Sequence, residues 1–114
     1  MVSGNGTIDK RETPLTQVSQ YSIKVGKRLQ IDFELPNSIN SLQNGQKVNV
    51  SITTSKPKKA QKLLTLRGEV YEIEKTKSGT NYVIFFSGLQ GSIIAKRRIP
   101  GIKVKKPIYL SITK

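Results

Sequence analysis

An all-β fold is what this sequence predicts, a barrel or sandwich of roughly seven or eight short strands. Three observations carry the prediction. Apolar and polar residues alternate at period two through most of the chain, which marks strands with one buried and one wetter face. Gly, Pro, Asn and Ser interrupt the alternation at short intervals, as turns do. Apolar residues make up only 35% of the chain, which suits a thin barrel or sandwich better than a deep layered core.

The elements follow in order. Residues 6–12 and 21–25 read as weaker strands. Ile31, Phe33 and Leu35 alternate with Gln30, Asp32 and Glu34, and form a clear one. Pro36, Asn37 and Ser38 could open a short helical turn, with Ile39 and Leu42 facing inward and Asn44-Gly45 closing it. Val48, Val50 and Ile52 form the next strand, and residues 55–61 a polar connection. Leu64, Leu66, Gly68 and Val70 keep one parity, after which Tyr71 and Ile73 fall on the other. Either a bulge near Gly68 bends this strand, as barrels require, or both of its faces are buried. Residues 77–81 read as a hairpin loop, followed by a strand with Tyr82, Ile84 and Phe86 on one face. Residues 87–92 read as a tight hairpin in which glycine supplies positive φ. Residues 92–96 form a weaker strand, 98–106 a basic connection, and Ile108, Leu110 and Ile112 the last strand. The 114 residues suit a single domain, 1–114, with 1–5 as a flexible N-terminus. A basic, bent, small barrel points by analogy toward an oligonucleotide-binding (OB) type fold.

Composition narrows the chemistry. The chain has neither Cys nor His, which removes Cys/His zinc sites, thiol nucleophiles, imidazole bases and disulfides. No signal-like segment opens it, and no apolar run approaches the roughly 18 residues that span a bilayer. A cytoplasmic protein without cofactor or metal is expected. Gly88 and Gly91 lack a Gly-Lys-Ser/Thr ending and precede a strand, whereas a phosphate loop needs a helix N-terminus. Glu69, Glu72 and Glu74 cluster, but Lys75 and Lys77 follow them, which suggests surface ion pairing rather than acid–base work. A Ser–Lys pairing stays open, though nothing singles one out.

Charge is the strongest compositional signal. Lys and Arg number 20 against 7 Asp and Glu, a net of +13, which attracts phosphate backbones and acidic protein faces. Lys56, Lys58, Lys59 and Lys62 fall in one connection, and Lys96, Arg97, Arg98, Lys103, Lys105 and Lys106 in another. These are the candidate contacts to nucleic acid or to an acidic partner. Solvated loops have the same composition, so both readings stand. Phe33, Tyr82 and Phe86 fit core positions, while Tyr71, Phe85 and Tyr109 have the opposite parity. Outward aromatics could stack on bases or anchor a protein interface.

The order of segments resembles the archaeal G-type small subunit of DNA-directed RNA polymerase, the counterpart of the eighth subunit of the eukaryotic enzymes. The resemblance runs through Ile31-Asp32-Phe33-Glu34-Leu35, Ser38-Ile39-Asn40, Lys47 to Ile52, and Gly68-Glu69-Val70-Tyr71-Glu72-Ile73. It continues through Tyr82 to Ser87, the turn at Gly88 to Gly91, and Ile108 to Lys114. The chain lacks the long acidic insertion expected of eukaryotic members. The resemblance implies an eight-stranded OB-type barrel that is not itself an enzyme. It would be a non-catalytic component of the polymerase, docked on the largest subunit and supporting assembly. The large polymerase subunits would then be its partners, with peripheral nucleic-acid contact and neither a membrane nor a small-molecule substrate. The docking candidates are Tyr71, Tyr82, Phe85, Gly88, Leu89, Gly91, Ile94 and Tyr109.

Overall fold

The computed structural model describes residues 2–13, 17–37, 42–55, 64–86 and 89–113, excepting the side chains of Val2, Glu12 and Thr13. Its eight strands are β1 (Val2–Thr13), β2 (Val18–Val25), β3 (Leu29–Pro36), β4 (Lys47–Thr53), β5 (Leu64–Thr76), β6 (Gly79–Phe86), β7 (Leu89–Ala95) and β8 (Pro107–Thr113). They close into a barrel in the order β1-β2-β3-β7-β6-β5-β8-β4. Every neighbouring pair is antiparallel. The period-two pattern becomes burial directly: β3 buries Leu29, Ile31, Phe33 and Leu35, and β8 buries Ile108, Leu110 and Ile112. Each strand has a neighbour on both sides, with overhanging ends: β5 pairs with β8 from Leu64 to Glu69 and β3 with β7 from Leu29 to Asp32.

The connections cap the core. At one end, called upper here, Leu42 is buried. Its segment is tied to β1 by Ile8 N–H to Gln46 O at 2.9 Å, Gly45 N–H to Ile8 O at 2.7 Å and Lys10 N–H to Asn44 Oδ1 at 3.0 Å. At the lower end Ile99 and Ile102 are buried. The Ile99 N–H donates to the Tyr82 hydroxyl at 2.8 Å, inside the barrel. Tyr21 and Phe33 stack within the core, with centroids 5.2 Å apart and planes 9° from parallel.

The structure changes three details of the sequence reading. Residues 2–5 are the start of β1 and pair with β4, so they do not form a loose end. The expected helical turn partly falls on residues 38–41, outside the described residues; Leu42 is buried and Gly45 has φ of +80°, as expected of its close. The β5 bulge lies between Val70 and Glu72, beyond Gly68. Gly68 serves close packing instead, since a Cβ there would meet Ile84 at 2.6 Å and Phe86 at 2.7 Å. Gly91 likewise sits in β7 without positive φ. A Cβ there would lie 2.8 Å from the Asp32 carbonyl oxygen and 2.9 Å from the Phe86 ring.

Candidate functional site

Cross-strand register brings three chain-distant connections together. Val25 pairs with Leu29, Leu29 with Ala95, Ala95 with Thr80, and Thr80 with Lys75. That row is the lower rim of the sheet. The turn after Val25, the hairpin between β5 and β6, and the start of the 96–106 connection therefore hang from one rim side by side. Backbone contacts tighten the arrangement. Lys96 N–H donates to Arg28 O at 2.9 Å. Gly79 has φ of +147°, and a Cβ there would collide with the Ala95 carbonyl; only glycine fits where the hairpin presses on β7. The far end of the connection returns to β5 through Lys105 N–H to Val70 O at 2.8 Å and Val70 N–H to Lys106 O at 3.2 Å.

The result is a cationic end. Lys27, Arg28, Lys75, Lys77, Lys96, Arg97, Arg98, Lys103, Lys105 and Lys106 are all exposed there, ten of the chain's 20 cations. Residues 26–28, 77–78 and 96–106 contain no Asp or Glu. Six of these ten come from the predicted basic connection. Lys27, Arg28, Lys75 and Lys77 were not predicted, because nothing local says that separate hairpins share an end. Lys56, Lys58, Lys59 and Lys62 lie outside the described residues.

The barrel wall is mixed in charge: Arg11, Lys24, Lys47 and Arg67 are exposed on it, and it carries most of the carboxylates. One outward row runs Glu72, Val83, Ser92, Asp32, Ser22, Asp9 across β5, β6, β7, β3, β2 and β1. The rows beside it carry Glu69, Phe85 and Gln90, and Glu74, Asn81, Ile94, Gln30 and Lys24. Six of the 7 carboxylates, Asp9, Asp32, Glu34, Glu69, Glu72 and Glu74, therefore stand on this wall. Asp32 accepts from Gln30 Nε2 at 3.2 Å, and Glu34 accepts from Gln20 Nε2 at 3.5 Å. Over β1, β2, β3 and β7 the wall forms an open polar groove of about 540 Å3, lined in part by Arg11, Lys24 and Ser92. Among the described residues no cluster of three or more carboxylates could hold a metal ion.

The predicted docking residues divide. Tyr71 is 65% exposed, Phe85 40% and Ile94 36%. The rings of Tyr71 and Phe85 meet edge to face at 5.3 Å. Leu89 and Tyr109 are half-buried, and Gly88 lies outside the described residues. Tyr82 is fully buried and Gly91 is covered by Phe86, so neither belongs to an outer surface. Tyr82 shares the inward parity of Ile84 and Phe86, and that signal should have excluded it.

No protein-family model and no curated protein matches this chain. Among solved structures it is similar to the cytoplasmic molybdate-binding protein ModG in its molybdate-bound form. That match has 17% identity over 98% of this chain and 89% of the other, with a TM-score of 0.41. The comparisons correct the expectation of an RNA polymerase subunit acting in transcription. The partner assignment to large polymerase subunits falls with it, and so does the exclusion of a small-molecule ligand, which came from the same resemblance. No family model and no curated protein supports the polymerase assignment. Among the described residues no helix is long and apolar enough to cross a membrane.

Proposed function

We propose that this barrel binds nucleic acid through the phosphate backbone, at its lower, cationic end. The observation that carries the reading is the convergence of nine exposed cations from three separate connections, none of which contains a carboxylate, with Lys75 at the end of β5 beside them. Such a surface releases counterions when phosphates replace them, which drives sequence-independent association. Apart from Val104, the exposed residues of these connections are charged, polar, Gly or Pro. A protein interface would need a buried apolar centre, whereas a phosphate-binding face does not. The barrel supplies rigidity: Ile99, Ile102 and the Tyr82 hydroxyl pin the connection that holds most of the cations. The cytoplasm is the compartment that goes with this reading.

Fluorescence anisotropy with a labelled duplex and a labelled single strand, over a range of salt concentrations, tests the reading. Affinity should fall linearly in log–log form as salt rises. Replacing Lys27, Arg28, Arg97 and Arg98 together with Gln should flatten that slope by up to about 3 to 4 on the duplex, near 0.9 per lost phosphate contact. Equal binding by the wild type and the quadruple variant, with an unchanged slope, would overturn it.

A further inference from the structure

Two deformations of the sheet meet at Val70. On the β6 side, the β5 bulge leaves Tyr71 exposed and without a partner. On the other side β8 stops pairing with β5 at Glu69, and the turn 103–106 takes its place. There Lys105 N–H donates to Val70 O, and Val70 N–H donates to Lys106 O. This is the bond pattern of a bulge whose first residue is ordinarily a left-handed glycine. Here that residue is Lys105, with φ of +67°. Lys106 N–H also donates to Lys103 O at 3.2 Å, so Lys105 is the third residue of a turn, again a place that favours glycine. Glycine would sit there with less strain. What lysine adds is an ammonium group on a backbone held from both sides.

Two of the four large apolar side chains exposed among the described residues flank this bond: Tyr71 follows Val70, and Val104 precedes Lys105. A third, Phe85, meets Tyr71 edge to face, which steadies the Tyr71 ring and leaves ring face open. Along β5 and the turn, exposed Arg67, Lys75, Lys103, Lys105 and Lys106 outnumber Glu69, Glu72 and Glu74. The junction is therefore continuous with the cationic end and adds an aromatic surface to it. An open ring among cations can stack a base while its neighbours hold the phosphates. Bases inside a duplex are already stacked on both faces, so a base that uses this ring has to be unpaired. We infer that bound nucleic acid places an unpaired base on Tyr71, with Lys105 at the adjoining phosphate. The site depends on the lower end being a nucleic-acid surface, as proposed above, and narrows its ligand to a strand with unpaired bases.

The test compares a short mixed-sequence single strand with a blunt duplex of the same sequence, both on the whole protein. The chain has no Trp, so Tyr71→Trp installs a single reporter ring at the site. Its emission should be quenched by the single strand and left unchanged by the duplex. In fluorescence anisotropy, Tyr71→Ala should weaken single-strand binding by at least about fivefold, the lower bound for one stacked base. The preference for single strand over duplex should fall with it. Tyr71 is largely exposed, so its truncation leaves the fold in place, and thermal melting checks this. Lys105→Gly should separate stability from binding. Relief of the left-handed lysine should raise the melting temperature by about 2 to 6 °C, while the single-strand salt slope flattens by about 0.7, one phosphate contact. A purely structural residue would not move these two readouts in opposite senses. Unchanged single-strand affinity in Tyr71→Ala would overturn the proposal and leave the face to a protein partner. So would an equal loss on both probes, or wild-type binding by Lys105→Gly. Any of these results would leave intact a loss of binding in the variant lacking Lys27, Arg28, Arg97 and Arg98, whereas a wild type that binds neither probe would sink both readings.

Discussion

Tyr82 is a residue whose position and chemistry can be separated. Its ring fills the core, and its hydroxyl accepts from the Ile99 N–H, a buried donor with no sheet partner. Tyr82→Phe keeps the ring and removes only the acceptor. A buried donor left without a partner costs about 1 to 3 kcal/mol, so the variant should lose that much stability in urea denaturation. Hydrogen exchange at Ile99 should quicken most. Sequence parity placed Tyr82 inside together with Ile84 and Phe86, but parity cannot show what a hydroxyl touches. The opposite case is Tyr71, whose exposure did follow from its parity. The physical cause, an unpaired bulge residue, was one of two readings that the sequence left open.

The connection from Lys96 to Lys106 is irregular yet well anchored. Ile99 and Ile102 reach into the lower mouth of the barrel and are 3% and 1% exposed. They play the part of core residues without belonging to a strand, so the alternation that marked the strands was silent about them. Their burial is what gives the surrounding cations a fixed position. Ile102→Ala should cost about 2 to 5 kcal/mol, in line with other large-to-small core changes. It should also weaken nucleic-acid binding with no charge altered, because a loosened connection no longer presents Arg97, Arg98 and Lys103 together. Thermal denaturation and anisotropy on the same sample check both halves of this expectation. Normal binding by a destabilised but folded variant would mean that the anchor does not organise the surface.

Charge is divided unevenly across the molecule: six carboxylates share the wall with Arg11, Lys24, Lys47 and Arg67, while the connections of the lower end carry cations alone. Composition gave the net charge but not this division. Its origin is topological. Strands that reversed direction at every step would put the β5–β6 hairpin at the end opposite the β2–β3 turn. Here β4 and β5 both pair antiparallel with β8 and so run the same way. That single step without reversal brings the β2–β3, β5–β6 and β7–β8 connections to one rim. No local sequence pattern encodes the direction of a strand, and for this reason Lys27, Arg28, Lys75 and Lys77 went unpredicted. The division also has a measurable effect on binding. Glu69→Gln, Glu72→Gln and Glu74→Gln together remove negative potential within reach of the basic end. The triple variant should bind nucleic acid modestly tighter at low salt, and the difference should vanish near 1 M, where the Debye length is about 3 Å. A difference that persisted at high salt would point to direct contact between wall and nucleic acid.

The place of β8 has a kinetic meaning. It is the last strand in sequence, yet it sits between β4 and β5 and pairs with both. During synthesis those two strands emerge long before the one that joins them. Until β8 arrives the sheet is an open ribbon with two bare edges, and Val48, Val50, Ile52 and Leu66 have no cover on that side. Pairings this distant along the chain form slowly, so the nascent protein passes through a period in which it is exposed to strand exchange with its neighbours. Insertion of β8 between β4 and β5 ends that period.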